Sequence, residues 1–275
     1  MRLLGHRLTL PAVIGIGIVV LNISAVLLGP FITPFGERDI VAGIYDDPSF
    51  AHWLGTDNLG RDMLSRLIFG GRTSIGLSIV ITLLAFFLGV TGGFTAAISG
   101  GWMDMALSRL VDLLLSMPIL IFAFIVLSVM GTAIPVLIVT IAVLQSTIVF
   151  RLARSVATGI VTLEYVEAAK LRGEGVWWLI SREVLPNALP PLVAEFGLRF
   201  CFVLLLISAL SFLGIGVQAP NADWGSMVSD FRDMIYLGYI APLYPAGAIA
   251  ILSIGVNFIV DWLLAIHSRG HGDGA

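Results

Sequence analysis

Charge is scarce in this chain of 275 residues. Fifteen lysines and arginines stand against eighteen aspartates and glutamates, a net charge of −3, and together they supply 12% of the sequence; a soluble domain carries ~25%. Lysine occurs once, as Lys170. A P-loop of the form G-x-x-x-x-G-K-S/T needs its lysine beside a hydroxyl residue to neutralise phosphates, and Leu171 follows Lys170, so nucleotide hydrolysis by that route is excluded. Cysteine also occurs once, as Cys201 in an apolar run, which rules out intramolecular disulfides and argues against a thiolate metal site. The four histidines (His6, His52, His267 and His271) fall outside the apolar runs or at their ends, and no H-E-x-x-H exists, so neither a zinc protease nor a histidine base at membrane depth is expected. Both charge signs are scattered, leaving no basic face for nucleic acid. What abounds is apolar: 58% of residues are hydrophobic and mean hydropathy is +1.00. Too few charges remain to cover a soluble surface, so lipid contacts much of the chain.

Uncharged runs place the membrane spans, each needing ~20 apolar residues. The 29 residues between Arg7 and Glu37 hold the first, roughly Leu10 to Leu28, and the 31 between Arg72 and Asp104 the second. The 38 between Asp112 and Arg151 are too many for one helix and are broken by Gly131-Thr132-Ala133-Ile134-Pro135, which predicts a hairpin of two spans starting near Met105. Leu189 to Leu213 and Tyr244 to His267 complete an all-α protein of six transmembrane helices. The first run exceeds a signal-peptide core, and no A-x-A site follows it, so retention is expected over cleavage. An even span count puts both termini on one side. With the termini cytoplasmic, nine lysines and arginines lie inside and five outside, which orients the chain that way. The expected organisation is residues 1–72 as a first span with an external segment and interfacial helix, 73–267 as a five-span core, and 268–275 as a cytoplasmic tail.

Ionisable groups in spans mark proton or ion pathways when they sit at midplane. Arg109 with Asp112 and Glu195 with Arg199 have helix-neighbour spacing and read as self-neutralising pairs near the cytoplasmic ends, the second at the pore mouth. Gly92-Gly93 and Gly214-x-Gly216 read as close packing or turns.

Two hydrophilic segments remain. In the external one, Thr56 or Asp57 is expected to cap a short interfacial helix whose Met63, Leu64, Leu67 and Ile68 form an apolar face, with Arg61, Asp62, Ser65 and Arg66 elsewhere. Asp57 and Asp62 lack the D-x-D/N-x-D/N-G spacing of a calcium loop, so no metal is expected. In the cytoplasmic segment, within 151–188, Glu167 to Lys170 suit a helix that Gly173 ends, and a second short helix is expected from Val176 until Pro186 stops it. Its stripe of Trp177, Ile180 and Val184 suits either lipid or a partner's groove.

These residues resemble a known family. Glu167-Ala168-Ala169, Gly173 and Leu185-Pro186 are similar to the EAA loop of type-I ABC importer permeases. Leu54-Gly55-Thr56-Asp57-Asn58-Leu59-Gly60-Arg61-Asp62 with Ser65-Arg66, and Ser211-Phe212-Leu213-Gly214-Ile215-Gly216-Val217-Gln218-Ala219-Pro220, resemble signatures of the C-type half of dipeptide, oligopeptide and nickel permeases. Departures are Glu183, Ile207 and the Glu195/Arg199 pair. The resemblance implies a type-I permease fold in a bacterial inner membrane, importing peptides, with Glu167, Ala168, Ala169, Gly173, Leu185 and Pro186 coupling to ATPases and Asp57, Gly60, Arg61 and Asp62 at an external gate. It implies a homologous B-type permease, two ABC ATPase subunits and an extracytoplasmic binding protein as partners, with ATP and magnesium on the ATPases and no cofactor in this chain. A nickel chelate or other solute as cargo, or a self-sufficient carrier or channel, are the alternatives.

Overall fold

A computed structural model describes the backbone of residues 2–3, 6–7 and 9–270; residues 271–275 of the expected tail lie outside the described residues. A two-residue antiparallel pairing, β1 (Arg2–Leu3) with β2 (His6–Arg7), precedes the helices.

Five described helices are long and apolar enough to cross a membrane, and six spans result if one bent pair counts as a single crossing. Helix α1 (Leu10–Ile32) begins with Pro11 in its first turn, where a missing N–H costs nothing. Helix α2 (Met63–Ser99) is one continuous element, so the expected interfacial helix and second span are a single helix, and residue 72 lies inside it. Gly70 and Gly71, which would weaken an isolated helix, admit other chain segments: a Cβ on Gly71 would lie 2.8 Å from the Trp224 ring. Helices α3 (Gly101–Leu115) and α4 (Ile119–Met130), which together cover the span expected to start near Met105, meet at 86°. The cause is Pro118, which donates no N–H and disfavours helical backbone at the residue before it. Helix α5 (Ile134–Val161) returns to the end where α2 finished.

The most extensive helix contact in the bundle is α2 on α5. Gly89 and Gly93, one turn apart, let the backbones meet: a Cβ on Gly93 would lie 2.7 Å from the Phe150 carbonyl oxygen, and one on Gly89 2.6 Å from Val149 Cβ. In a membrane, where lipid competes for apolar contact, such close backbone approach is a main source of helix association. The described cores follow from these crossings. One lies mid-bundle, with Ile81, Leu137, Ile141 and Ile207; one gathers Met63, Leu204, Trp224 and Phe231 at the expected external end; one holds Phe94, Ala157, Val166 and Val184 at the other.

Beyond α5 come the short helix α6 (Glu164–Leu171), then α7 (Val176–Leu179), a π-turn over Ile180–Val184 and the long α8 (Leu185–Phe212). Pro186 does not stop the helix as the sequence suggested; α7 through α8 form one run. The wider turn before Pro186, closed by the Leu185 N–H on the Ile180 carbonyl, makes room for the ring, and the Asn187 amide takes the Glu183 carbonyl at 2.6 Å. Helix α9 (Trp224–Asp230), a 3₁₀ turn (Arg232–Leu237) and α10 (Leu243–Gly270) complete the chain.

Candidate functional site

Three assemblies hold the residues singled out above. At one end, α6 carries Glu164 and Glu167 in its first turn and Lys170 in its last, matching the helix dipole. Its end is a Schellman motif: the Gly173 N–H bonds the Lys170 carbonyl at 2.9 Å and the Glu174 N–H the Ala169 carbonyl at 3.3 Å. Gly173 sits at φ +82° in open space, so backbone conformation alone demands glycine. Ala169 and Val166 are buried with Leu179, Ile180 and Val184 against α2 and α5. The stripe predicted to meet lipid or a partner is therefore split: Ile180 and Val184 pack on the chain itself, while Trp177 is 67% exposed and joins Leu171, at 84%, on an apolar tip. Glu167 and Ala168 are exposed, and among the described residues the Glu167 side chain has no bonding partner. Leu185 is half-buried, Pro186 exposed, and the Asn187 amide also donates to the Tyr165 hydroxyl at 3.1 Å, tying the two arms together.

At the opposite end, residues 54–66 form a buried ionic knot. Asp57 Oδ1 accepts the N–H groups of Leu59 and Arg61 at 2.8 and 2.9 Å; its Oδ2 accepts Arg61 Nε at 2.6 Å and Arg66 Nη1. Helix α2 is capped by neither Thr56 nor Asp57: Asp62 does so, taking the Ser65 N–H at 2.8 Å and hydroxyl at 2.7 Å, while its other oxygen meets His52 Nδ1 at 3.1 Å. Gly60, at φ +76°, passes so close that a Cβ would lie 2.3 Å from the Ala42 carbonyl oxygen. Arg61, Asp62, Ser65 and Arg66, expected away from the apolar face, are buried. The knot is fastened to α9, since Arg66 Nη1 also lies 3.8 Å from Asp230. Burial raises the Asp230 pKa, and the Arg66 and Arg61 cations oppose that rise. Beside it the buried Asp223 caps α9 through the Gly225 and Ser226 N–H groups at 3.2 and 3.0 Å. The Trp224 N–H reaches Ser74 Oγ on α2 at 3.0 Å.

The third assembly corrects an expectation. Glu195 and Arg199 are not near an end of their helix, because the run that starts at Val176 continues through both of them to Phe212. Arg199 Nε meets Glu195 Oε1 at 2.9 Å, and Arg199 Nη1 donates to Gln145 Oε1 on α5 at 3.0 Å. The guanidinium lies 5.1 Å from the centroid of the Phe202 ring. Gln145 was missed because its partner is 54 positions away. The other expected pair does not form among the described residues: Arg109 and Asp112 stay apart, and Arg154 on α5 instead grips Asp104 on α3 at 2.5 and 2.6 Å. No group of three metal-ligating side chains occurs among the described residues.

Known proteins resemble this chain in sequence and in fold. The family model described as binding-protein-dependent transport system inner membrane component matches residues 89–271. A dipeptide transport system permease protein of Alkalihalophilus pseudofirmus is 32% identical over 253 residues, 92% of this chain and 83% of its own. A probable D,D-dipeptide transport system permease protein of Escherichia coli is 32% identical over 89% of this chain and 82% of its own, and a glutathione transport system permease protein of Pectobacterium atrosepticum 33% over 79% and 72%. The crystal structure of an amino acid ABC transporter with histidines shares the fold, with TM-score 0.52 and 16% identity, over 74% of this chain and 94% of that one. The apolar helices and these matches together make the chain an integral inner-membrane component of the binding-protein-dependent transport system family.

Proposed function

We propose that this chain is one of two homologous transmembrane halves of an ATP-driven importer of dipeptides or short peptides. Two ABC ATPases would hold ATP and magnesium, and an extracytoplasmic protein would deliver cargo. The observation that carries the reading is the likeness, over nine-tenths of the chain, to permeases named for dipeptide transport. The geometry supports it: α6 and α7 present Leu171 and Trp177 as an apolar tip at one end, rigidly backed by the bundle, and the Asp57 knot ties α2 to α9 at the other. Closure of the ATPases would push the 164–186 segment and rock α5 and α8 between two packings. In this reading 164–186 lies in the cytoplasm and 33–62 outside.

Reconstitution of the complete complex in proteoliposomes tests the reading. Labelled dipeptide should accumulate with ATP and binding protein, and the chain alone should neither accumulate it nor turn over ATP. Accumulation of a nickel chelate with no response to dipeptide would replace peptide as the cargo, and transport by the chain alone would replace the half-transporter.

A further inference from the structure

We propose that Glu195, Arg199 and Gln145 form a charged subsite midway across the membrane that receives the two termini of a zwitterionic peptide; the inference rests on the peptide-importer reading above. Depth is the first argument. Arg199 lies ~20 Å along α8 from its end at Phe212 and Gln145 ~16 Å along α5 from Ile134, taking 1.5 Å of rise per residue, so both sit about half of a ~30 Å hydrocarbon core in from those ends. Ionisable side chains at that depth are costly and face protein or water, not acyl chains.

Unused bonding capacity is the second argument. Both guanidinium contacts to Glu195, Nε at 2.9 Å and Nη2 at 2.6 Å, fall on Oε1. Glu195 Oε2 and the Gln145 amide nitrogen have no partner among the described residues, and Arg199 retains N–H groups beyond those it uses. A structural ion pair in a low-dielectric setting would be closed on itself, because each idle polar atom there costs free energy.

Position on the helix is the third. Arg199 is 7% exposed and stacks on Phe202, which is 55% exposed and stands with Leu205, one turn on and 49% exposed, on a side of α8 that no other described part of this chain covers. A charged pair at the edge of that face requires a second subunit or a water-filled path beside it. The chemistry then selects the ligand. A carboxylate fits the spare N–H groups of Arg199 and Gln145, an ammonium fits Glu195 Oε2, and the site is neutral overall, as a peptide with free termini is.

The test uses the complete transporter in proteoliposomes and reads dipeptide uptake per ATP hydrolysed in three variants: Arg199→Gln, Arg199→Lys, and the exchange of Glu195→Arg with Arg199→Glu. The exchange keeps an ion pair across the same turn, and Gln145 can donate to the relocated carboxylate. Arg199→Gln and the exchange should each lower uptake per ATP by about tenfold or more, with Arg199→Lys recovering most of it. Uptake by the exchange variant within about twofold of wild type would overturn the subsite. Failure of both Arg199→Gln and the exchange to assemble would also overturn it, by assigning the pair to packing. A wild-type complex that moves another solute but no dipeptide would remove the peptide reading and the subsite together, whereas wild-type dipeptide uptake unaffected by the exchange would remove the subsite alone.

Discussion

At the scale of single residues, Asp57 holds more of the expected external face together than its size suggests. Its carboxylate is fully buried and meets Arg61 and Arg66, themselves buried, plus two backbone N–H groups. Asp57→Ala would strand two guanidinium groups out of water, a loss of ~3–5 kcal/mol for a broken buried pair. Membrane abundance and thermal stability of the complex should both fall, while Asp57→Asn, which can still accept the Leu59 and Arg61 N–H groups, should fall less. Asp223 behaves differently, since no cation contacts it. Burial raises its pKa above the usual 3.8, against the lowering effect of hydrogen bonds from Ser226, Ser211 and Gly225. A raised folded-state pKa means that stability is present in full below the unfolded value and is lost as pH rises through the folded one. Wild-type thermal stability should therefore fall relative to Asp223→Asn as pH is raised from about 4 through that higher value. Parallel pH profiles of the two proteins would refute the assignment.

At the scale of elements, the α6 turn should act as a rigid part. Gly173→Val imposes φ +82° on a β-branched residue at a cost of ~1–3 kcal/mol, with no clash to add because the space around it is open. Gly173→Asn, which tolerates the left-handed region, should be milder. With insertion unaffected, Gly173→Val should reduce ATPase co-purification or uncouple hydrolysis from uptake; Glu167→Arg, on the same exposed surface, should do so to a smaller degree. Normal uptake by Gly173→Val at unchanged abundance would make the segment a connector only. Gly173 was legible in the sequence because a helix-forming run ending in glycine is a local signal, and so were the spans, whose uncharged lengths need no tertiary knowledge. The π-turn was not, since Pro186 reads as a stop unless the preceding turn is known to widen. Arg154 with Asp104, and Arg66 with Asp230, were invisible for another reason. Their partners are 50 and 164 positions apart, and spacing rules reach only about one turn.

At the scale of the whole molecule, orientation is open to direct measurement. In a Cys201→Ser background, a cysteine at Ser49 should react with an impermeant reagent from outside intact cells, and one at Ser181 only after the inner face is opened; the reverse would invert the molecule. The bundle also fixes an order of events. Helix α1 packs on α10, where a Cβ on Gly15 would lie 2.6 Å from the Gly255 carbonyl oxygen and one on Gly255 2.7 Å from Ile18 Cγ2. These glycines are 240 positions apart. At a synthesis rate of ~5–20 residues per second, the ribosome needs roughly 10–50 s to reach the second after the first. Throughout that interval α1 stands in the bilayer without its main neighbour, held by lipid, the insertion machinery or the start of α2. In the same Cys201→Ser background, a cysteine pair at Ile18 and Gly255, whose Cβ atoms would approach to 2.9 Å, should cross-link only in chains released at full length, and nascent chains arrested before α10 should leave α1 open to competition from a synthetic α10 peptide.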